Sequence, residues 1–448
     1  MITYNSGETI TGYIPLEQGN IIFHAKNYEF TFMNPFNTAI EIVPDSNGFI
    51  WGKVHNTDNT IAIYVRESFS ISSKRLLNTW IYVIFEAHYI DRKQMQYIDG
   101  IRFWNGGIKT IYPANALVEN PDLTKDNHFV YDYQKDCYCV KHSLSDQLDV
   151  EYCFSSRISQ RLSIGEVYLK NGDSILDLKF SKPQTFSDIR KYYDAVYGLC
   201  AFLTFRKQIE FDKITLFSEL KDGKRLEYAR CYIKQPTNSE NRKVVDVIPV
   251  REISEESVVR LMNNLLDTEK FPGLPLFILP IDRNDLLSID SGKIRLICSA
   301  IEMELNNSAE INPATDVKVE QLIKQVKKTI KDHKKGEYGM DENMYGPIYT
   351  SISHWGLPLR ERLYHAWNNH PEVLPLAEKL GFTVDVEKLG AFCKARNAIT
   401  HRGANDNIDE DVATTAFMLI GLTYCYALKR IGLKEDIIKE LMKTNLIY

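Results

Sequence analysis

The sequence carries no excess of positive charge. Its 54 basic residues face 59 acidic ones, for a net charge of −5. A chain that coats nucleic acid without selecting a site is usually basic throughout. That class is excluded, although a local basic patch is not. Low-complexity tracts are missing. The first residues, Met1-Ile2-Thr3-Tyr4-Asn5, hold no basic and apolar leader, so no secretory signal is expected. The longest uncharged run near the C-terminus is Ala413 to Leu428. It falls short of the roughly 18–20 residues of a membrane span and includes Thr414, Thr415 and Thr423. It reads as a buried helix, and no membrane partner is expected.

Nucleotide and hydrolase signatures are missing as well: no G-x-x-x-x-G-K-[ST], no dinucleotide fingerprint, no G-x-S-x-G. Cysteine is sparse, with eight in 448 residues. Only Cys137 and Cys139 lie close together, and a C-x-C without a second pair is a poor zinc signature. Reduced thiols in a cytoplasmic protein are the expectation. His354, His365 and His370 have no metal-like partners, and the last two are five apart, wrong for an i, i+4 zinc pair. No metal and no cofactor are expected.

What the sequence does have is ample apolar material, 44% of its residues, in a length that suggests two or three domains. The front half reads as strands. Asn20 to Met33 alternates polar and apolar residues, Thr60 to Val65 is β-branched, and Trp80 to Tyr89 is aromatic. Asn171-Gly172 and Asp222-Gly223 each sit between apolar runs and predict hairpins. One helix is expected at Phe186–Phe205, starting at Ser187-Asp188, and another at Glu252–Glu269. Trp51, Trp80 and Trp104 suit packing or a recognition surface.

Pro272, Pro275 and Pro280 then interrupt the chain. Beyond Ser291 the period is helical. Ile294, Ile297, Ile301 and Leu305 line a first helix; Leu322, Val326 and Ile330 stripe a second at Val317–Lys335. Further helices are expected at Pro347–Asn368, Val386 to about His401, and Asp409–Ile431. The fold class is therefore α+β and multidomain. A β-rich, antiparallel, sandwich-like region spans 1–245, a helical and proline-rich connector 246–289, and an all-α bundle 290–448.

One segment of that bundle carries chemistry: Lys394-Ala395-Arg396-Asn397-Ala398-Ile399-Thr400-His401-Arg402-Gly403. Five helical residues separate Arg396 from His401 by about 140° and about 7.5 Å of rise. They can meet one phosphate if His401 sits at the helix end, where Gly403 suits a left-handed cap. Histidine exchanges protons near neutrality. It could take the proton of a ribose 2′-OH or protonate a 5′-oxygen leaving group. Arg396 can hold two phosphate oxygens, and Asn397 can orient histidine or phosphate. Attack by the internal 2′-OH needs no bound metal. Lys394 and Arg402 flank the motif as phosphate contacts. Seven lysines from Lys318 to Lys335, among them Lys327 and Lys331, face only Glu320 and Asp332, and could attract RNA or form a solvated face.

Arg396-Asn397 followed by His401 resembles the signature of the HEPN superfamily: Arg, a polar residue, then His after four to six positions. The β-rich front half, with Gly165-Glu166-Val167-Tyr168-Leu169 and Tyr192-Tyr193-Asp194-Ala195-Val196-Tyr197-Gly198-Leu199, resembles that of ApeA-type anti-phage HEPN nucleases. The resemblance implies an endoribonuclease leaving 2′,3′-cyclic phosphate and 5′-hydroxyl ends. It implies a homodimer with a composite cleft, an RNA target such as tRNA, a phage-derived trigger, and Glu302 as an auxiliary polar residue. Two other readings stay open: a HEPN-like module that binds nucleotides or partners without cutting, and a β-sandwich ligand-binding protein whose helical tail dimerises.

Overall fold

A computed structural model describes residues 9–86, 97–113, 137–145, 148–163, 166–220, 225–235, 247–267, 273–275, 278–281, 288–307, 317–335, 346, 348–349, 352, 358–369, 371–402 and 408–444. The chain divides into two compact units, Met1–Phe271 and Pro272–Tyr448.

The first unit is built on β1 (Ile10–Leu16), β2 (Gly19–Lys26), β3 (Glu29–Met33), β4 (Ile40–Ile42), β5 (Phe49–Val54), β6 (Thr60–Tyr64), β7 (Phe69–Ile71), β8 (Lys74–Asn78), β9 (Ile81–Phe85) and β10 (Tyr97–Trp104). It continues with helix α1 (Gly107–Ile111), β11 (Cys137–Ser145), β12 (Leu148–Ser163), β13 (Glu166–Thr185), helix α2 (Ile189–Thr204), β14 (Lys213–Glu219), β15 (Arg225–Ile233) and helix α3 (Glu255–Leu266). Thirteen strands form one antiparallel sheet, ordered β11-β12-β13-β10-β14-β15-β9-β6-β5-β1-β2-β3-β8. The small β4–β7 ladder packs its Ile40, Ile42, Phe69 and Ile71 into the same core as Ile21, Phe23, Phe30 and Ile63 of the large sheet. Strand β2 shows the pattern: Ile21, Phe23 and Ala25 are buried while His24 and Lys26 face out.

The alternating run from Asn20 to Met33 forms two strands, β2 and β3. Asn27 and Tyr28 both take positive φ, at 50° and 68°, and fold β2 back on β3. The Asp222-Gly223 turn lies outside the described residues, yet its flanking strands pair as expected, Glu219 opposite Arg225. The hairpin expected at Asn171-Gly172 does not form. There β13 runs unbroken and pairs along its length with β12. Arg157 opposes Asp173 and Ser159 opposes Lys170, so Asn171-Gly172 supplies the extra residue of a bulge. The conformational freedom of Asn-Gly serves a bulge as well as a turn.

Helix α2 follows a single 3-10 turn, Phe186–Asp188, capped by Thr185. Asp188 Oδ2 accepts from the Thr185 amide at 3.0 Å and hydroxyl at 2.6 Å. Phe205 ends the helix in a left-handed conformation. The charged groups at the middle of the sheet are buried with their partners. Arg102 spans Asp177 at 2.6 and 2.9 Å and Glu227 at 2.7 Å, Arg225 also pairs with Asp177, and Lys213 reaches Glu227 at 2.7 Å. His142 is buried as well. Its Nε2 lies 2.7 Å from Asn263 Oδ1 and its Nδ1 3.2 Å from the Tyr152 hydroxyl. A neutral ring donating from Nε2 to the amide oxygen and accepting from Tyr152 satisfies both contacts.

The second unit is helical: α4 (Ser291–Asn307), α5 (Val317–Lys335), α6 (Leu359–Asn368), α7 (Leu374–Leu380), α8 (Val386–Arg402), α9 (Glu410–Arg430) and α10 (Glu435–Lys443). Helix α9 is the one described helix long and apolar enough to cross a membrane, and 78% of its apolar window is buried inside the protein. Asp409 caps it, its carboxylate accepting from the Val412 amide at 2.7 Å. The helix expected over Pro347–Asn368 does not run through. Pro358 holds an extended backbone at φ −52°, ψ 147°, and α6 starts only after it. On α5 the apolar stripe is covered only in part: Leu322 is 52% exposed, while Val326 and Ile330 are half-buried.

Two outcomes follow from the buried groups of the first unit. Asp177→Ala leaves Arg102 buried beside one carboxylate fewer and should cost about 3–5 kcal/mol. Lys179→Ala removes an exposed partner of Glu219 and should cost under about 1 kcal/mol. Urea unfolding of the two variants measures both. Burial lowers the His142 pKa. The unfolded histidine takes a proton below about pH 6.5 while the folded one does not. Stability should therefore fall as pH drops below about 6.5 and level off below the folded pKa. His142→Gln should flatten that slope, and an unchanged slope would refute the assignment.

Candidate functional site

Helix α8 carries the Arg396 motif, and its apolar residues decide which way that motif faces. Leu389, Phe392 and Ile399 are buried, so Arg396 and Asn397 turn toward α4 and solvent. The Arg396 guanidinium reaches Glu302 of α4, with Nη2 at 3.1 and 3.4 Å from the two carboxylate oxygens, and Nη1 donates to Asn397 Oδ1 at 3.0 Å. The side chains of this pair are about one third exposed, 28% for Arg396 and 31% for Glu302. A third-exposed ion pair contributes little to stability. It keeps a guanidinium fixed and reachable, which is what an incoming phosphate needs.

The surroundings add cations. On α6, Arg362 donates from Nη2 to Asn306 Oδ1 at 2.8 Å. Burial lowers its pKa, and the nearby Glu302 charge opposes the shift. Arg295 of α4 donates to the Ile399 carbonyl, which ties α4 to α8 one turn beyond Arg396. Arg360, two residues from Arg362, is exposed and occupied by Glu361 at 2.6 Å. Two thiols flank the pair. Cys298 Sγ lies 3.7 Å from Glu302 Oε1. Burial pushes Cys298 up to about 12 and Cys393 to about 11. Both are protonated at neutral pH and are poor nucleophiles.

Of the residues singled out from sequence, the structure brings together Arg396, Asn397 and Glu302. His401 lies in the last turn of α8, within the helix as expected. Its side chain and that of Arg402 lie outside the described residues, as does Gly403. Lys394 is exposed on α8. Lys331 is exposed on α5, and Lys327 of the same helix stands over the Tyr349 ring at 5.2 Å. His365 contacts Asn369, while His354 and His370 lie outside the described residues. Sequence reasoning missed Arg362, Asn306 and Arg295. No local pattern marks them; only the packing of α6 and α4 against α8 puts them there. Trp51 is a packing residue, donating to Asp45 Oδ2 at 2.8 Å, and Trp80 packs on Tyr64 and Arg190.

One grouping of possible metal ligands occurs among the described residues, Cys137, Cys139 and Cys153, with all three sulfurs within 4.8 Å. It corrects the expectation of reduced thiols throughout. Cys139 and Cys153 stand directly opposite each other on β11 and β12, and they are joined as a disulfide. The spacing of 14 residues hides that pairing in the sequence; antiparallel register creates it. Comparison with known proteins adds nothing to these contacts: no family model, curated protein or solved structure matches this chain.

The two glutamates of α4 separate site from scaffold. Glu304 is fully buried, and Arg430 grips it with 2.6 and 3.1 Å contacts. Glu304→Ala should cost about 3 kcal/mol or more, and Glu302→Ala under about 1 kcal/mol. Thermal unfolding of both variants tests the division, and equal losses would place Glu302 in the scaffold.

Proposed function

We propose that this chain is a metal-independent endoribonuclease of HEPN type, a cytoplasmic effector of anti-phage defence that works as a homodimer. The observation that carries the reading is the Arg396–Glu302 pair. It presents a fixed, partly exposed guanidinium on the same helix as His401, with Asn397 bound to it. The resemblance of that motif to the HEPN signature supplies the reaction class.

In this reading Arg396 binds two non-bridging oxygens of the scissile phosphate and stabilises the charge that builds there. His401 exchanges the proton. The ribose 2′-oxygen loses its proton and bonds to phosphorus. The bond from phosphorus to the 5′-oxygen breaks, and that oxygen leaves protonated. The products are a 2′,3′-cyclic phosphate and a 5′-hydroxyl. One histidine serves one proton at a time, so a second copy facing the same cleft would supply the other. The β-rich unit would sense infection and restrain cutting, and tRNA fits as target.

Wild type, Arg396→Ala and His401→Ala, incubated with RNA in EDTA after exposure to phage lysate, test the reading by end-group analysis. Wild type should leave cyclic phosphate ends. Each variant should cut at least about a hundredfold more slowly. Intact RNA with wild type, or full activity in both variants, would overturn it.

A further inference from the structure

We propose that Cys137, Cys139 and Cys153, once reduced, hold one zinc ion through three thiolates at the edge of the sheet. The site lies in the first unit and does not depend on the nuclease reading above. Strand period brings its ligands together. Tyr138 donates to the Ile253 carbonyl at 3.2 Å, and His142 meets Asn263 of α3, so these side chains of β11 turn toward α3 and the residues before it. Cys137 and Cys139 therefore share the opposite face of the strand. Antiparallel register sets Cys153 of β12 directly opposite Cys139, with Cα atoms 4.2 Å apart. The Cys137 sulfur stands 3.1 Å from that of Cys139, and all three sulfurs lie within 4.8 Å of one another.

In a tetrahedral site, Zn–S bonds of about 2.3 Å hold the sulfurs about 3.8 Å apart. The triangle of sulfurs reaches that size by side-chain rotation once the disulfide opens. Sulfur donors alone select a soft or borderline cation over magnesium and calcium, which take oxygen ligands. Cys153 is 3% exposed, and net charge beside it is costly to bury. Three thiolates keep two negative charges around Cu+ but only one around Zn2+, which favours zinc. Cys137 is exposed on β11, the edge strand, and gives the ion its way in, with a fourth position left to water.

Metal and disulfide then exclude each other, and either one ties β11 to β12. Hydrogen peroxide would convert the first state to the second. Two electrons pass to it from the thiolates of Cys139 and Cys153, their S–S bond forms, the peroxide takes up two protons to leave as two waters, and the ion is released.

The full-length protein is reduced with a phosphine, which takes oxygen from water as the Cys139–Cys153 bond opens to two thiols, and is then freed of reagent without air. Cadmium uptake is counted by thiolate charge-transfer absorbance, and zinc affinity is measured by competition with a chromophoric chelator. Reduced wild type should take up one ion per chain. Cys137→Ser changes an exposed residue and should weaken zinc binding at least about a hundredfold, since loss of an outer-shell partner alone costs roughly 10–100-fold. Cys393→Ser, in the second unit, should bind as wild type does. The unreduced protein should bind as weakly as Cys137→Ser. No uptake by reduced wild type, or wild-type affinity in Cys137→Ser, would overturn the site. So would equal affinity with and without reduction.

Discussion

Helix α9 must be covered on every side, and the second unit is arranged to do so. Each residue from Met418 to Leu428 is buried. A helix apolar all round has no solvent face to offer. Helices α4, α8 and α10 pack on it, and α4 and α8 also pack on each other. To cover α9, α4 spends Ile294, Ile297, Ile301 and Leu305, and α8 spends Leu389, Phe392 and Ile399. What remains on the adjoining flanks is Glu302 on one helix and Arg396 on the other. The Arg396–Glu302 pair is thus a by-product of where the apolar residues have to go.

Much of this could be read from the residues, and the failures have physical causes. The bounds of α9 were legible because Asp409 and Lys429-Arg430 mark opposite ends of its dipole. The change from strands to helices was legible because the apolar period changes. The Asn171-Gly172 bulge is not legible because a permissive dipeptide does not say which irregularity it permits. Helix α6 reads too long from sequence because its apolar periodicity continues across Pro358. At the site, Arg396 and Asn397 were legible as a local motif. Arg362 and Asn306 were not, since their meaning comes from helices 50 or more positions apart in sequence that only the packed core aligns.

Electrostatics divides the charged residues by depth. In the sheet, Arg102, Asp177 and Glu227 satisfy one another away from water. Burial opposes the charge on Arg102, yet the two carboxylates win and its pKa rises. Burial likewise disfavours the charge on Glu227, and Lys213 and Arg102 reverse the shift. Glu304 differs: Arg430 compensates only in part, and its pKa stays raised. These groups are committed to the fold. The charges around α8 are shallower, and a ligand can compete for them.

Strand β8 bears on what the first unit can recognise. It closes one end of the sheet and exposes Lys74 and Arg75. Charged side chains on an edge strand oppose docking of another backbone. Recognition by strand addition is therefore disfavoured at that end. At that end a binding partner would be met by loops and sheet faces, through side chains and not through main-chain ladders.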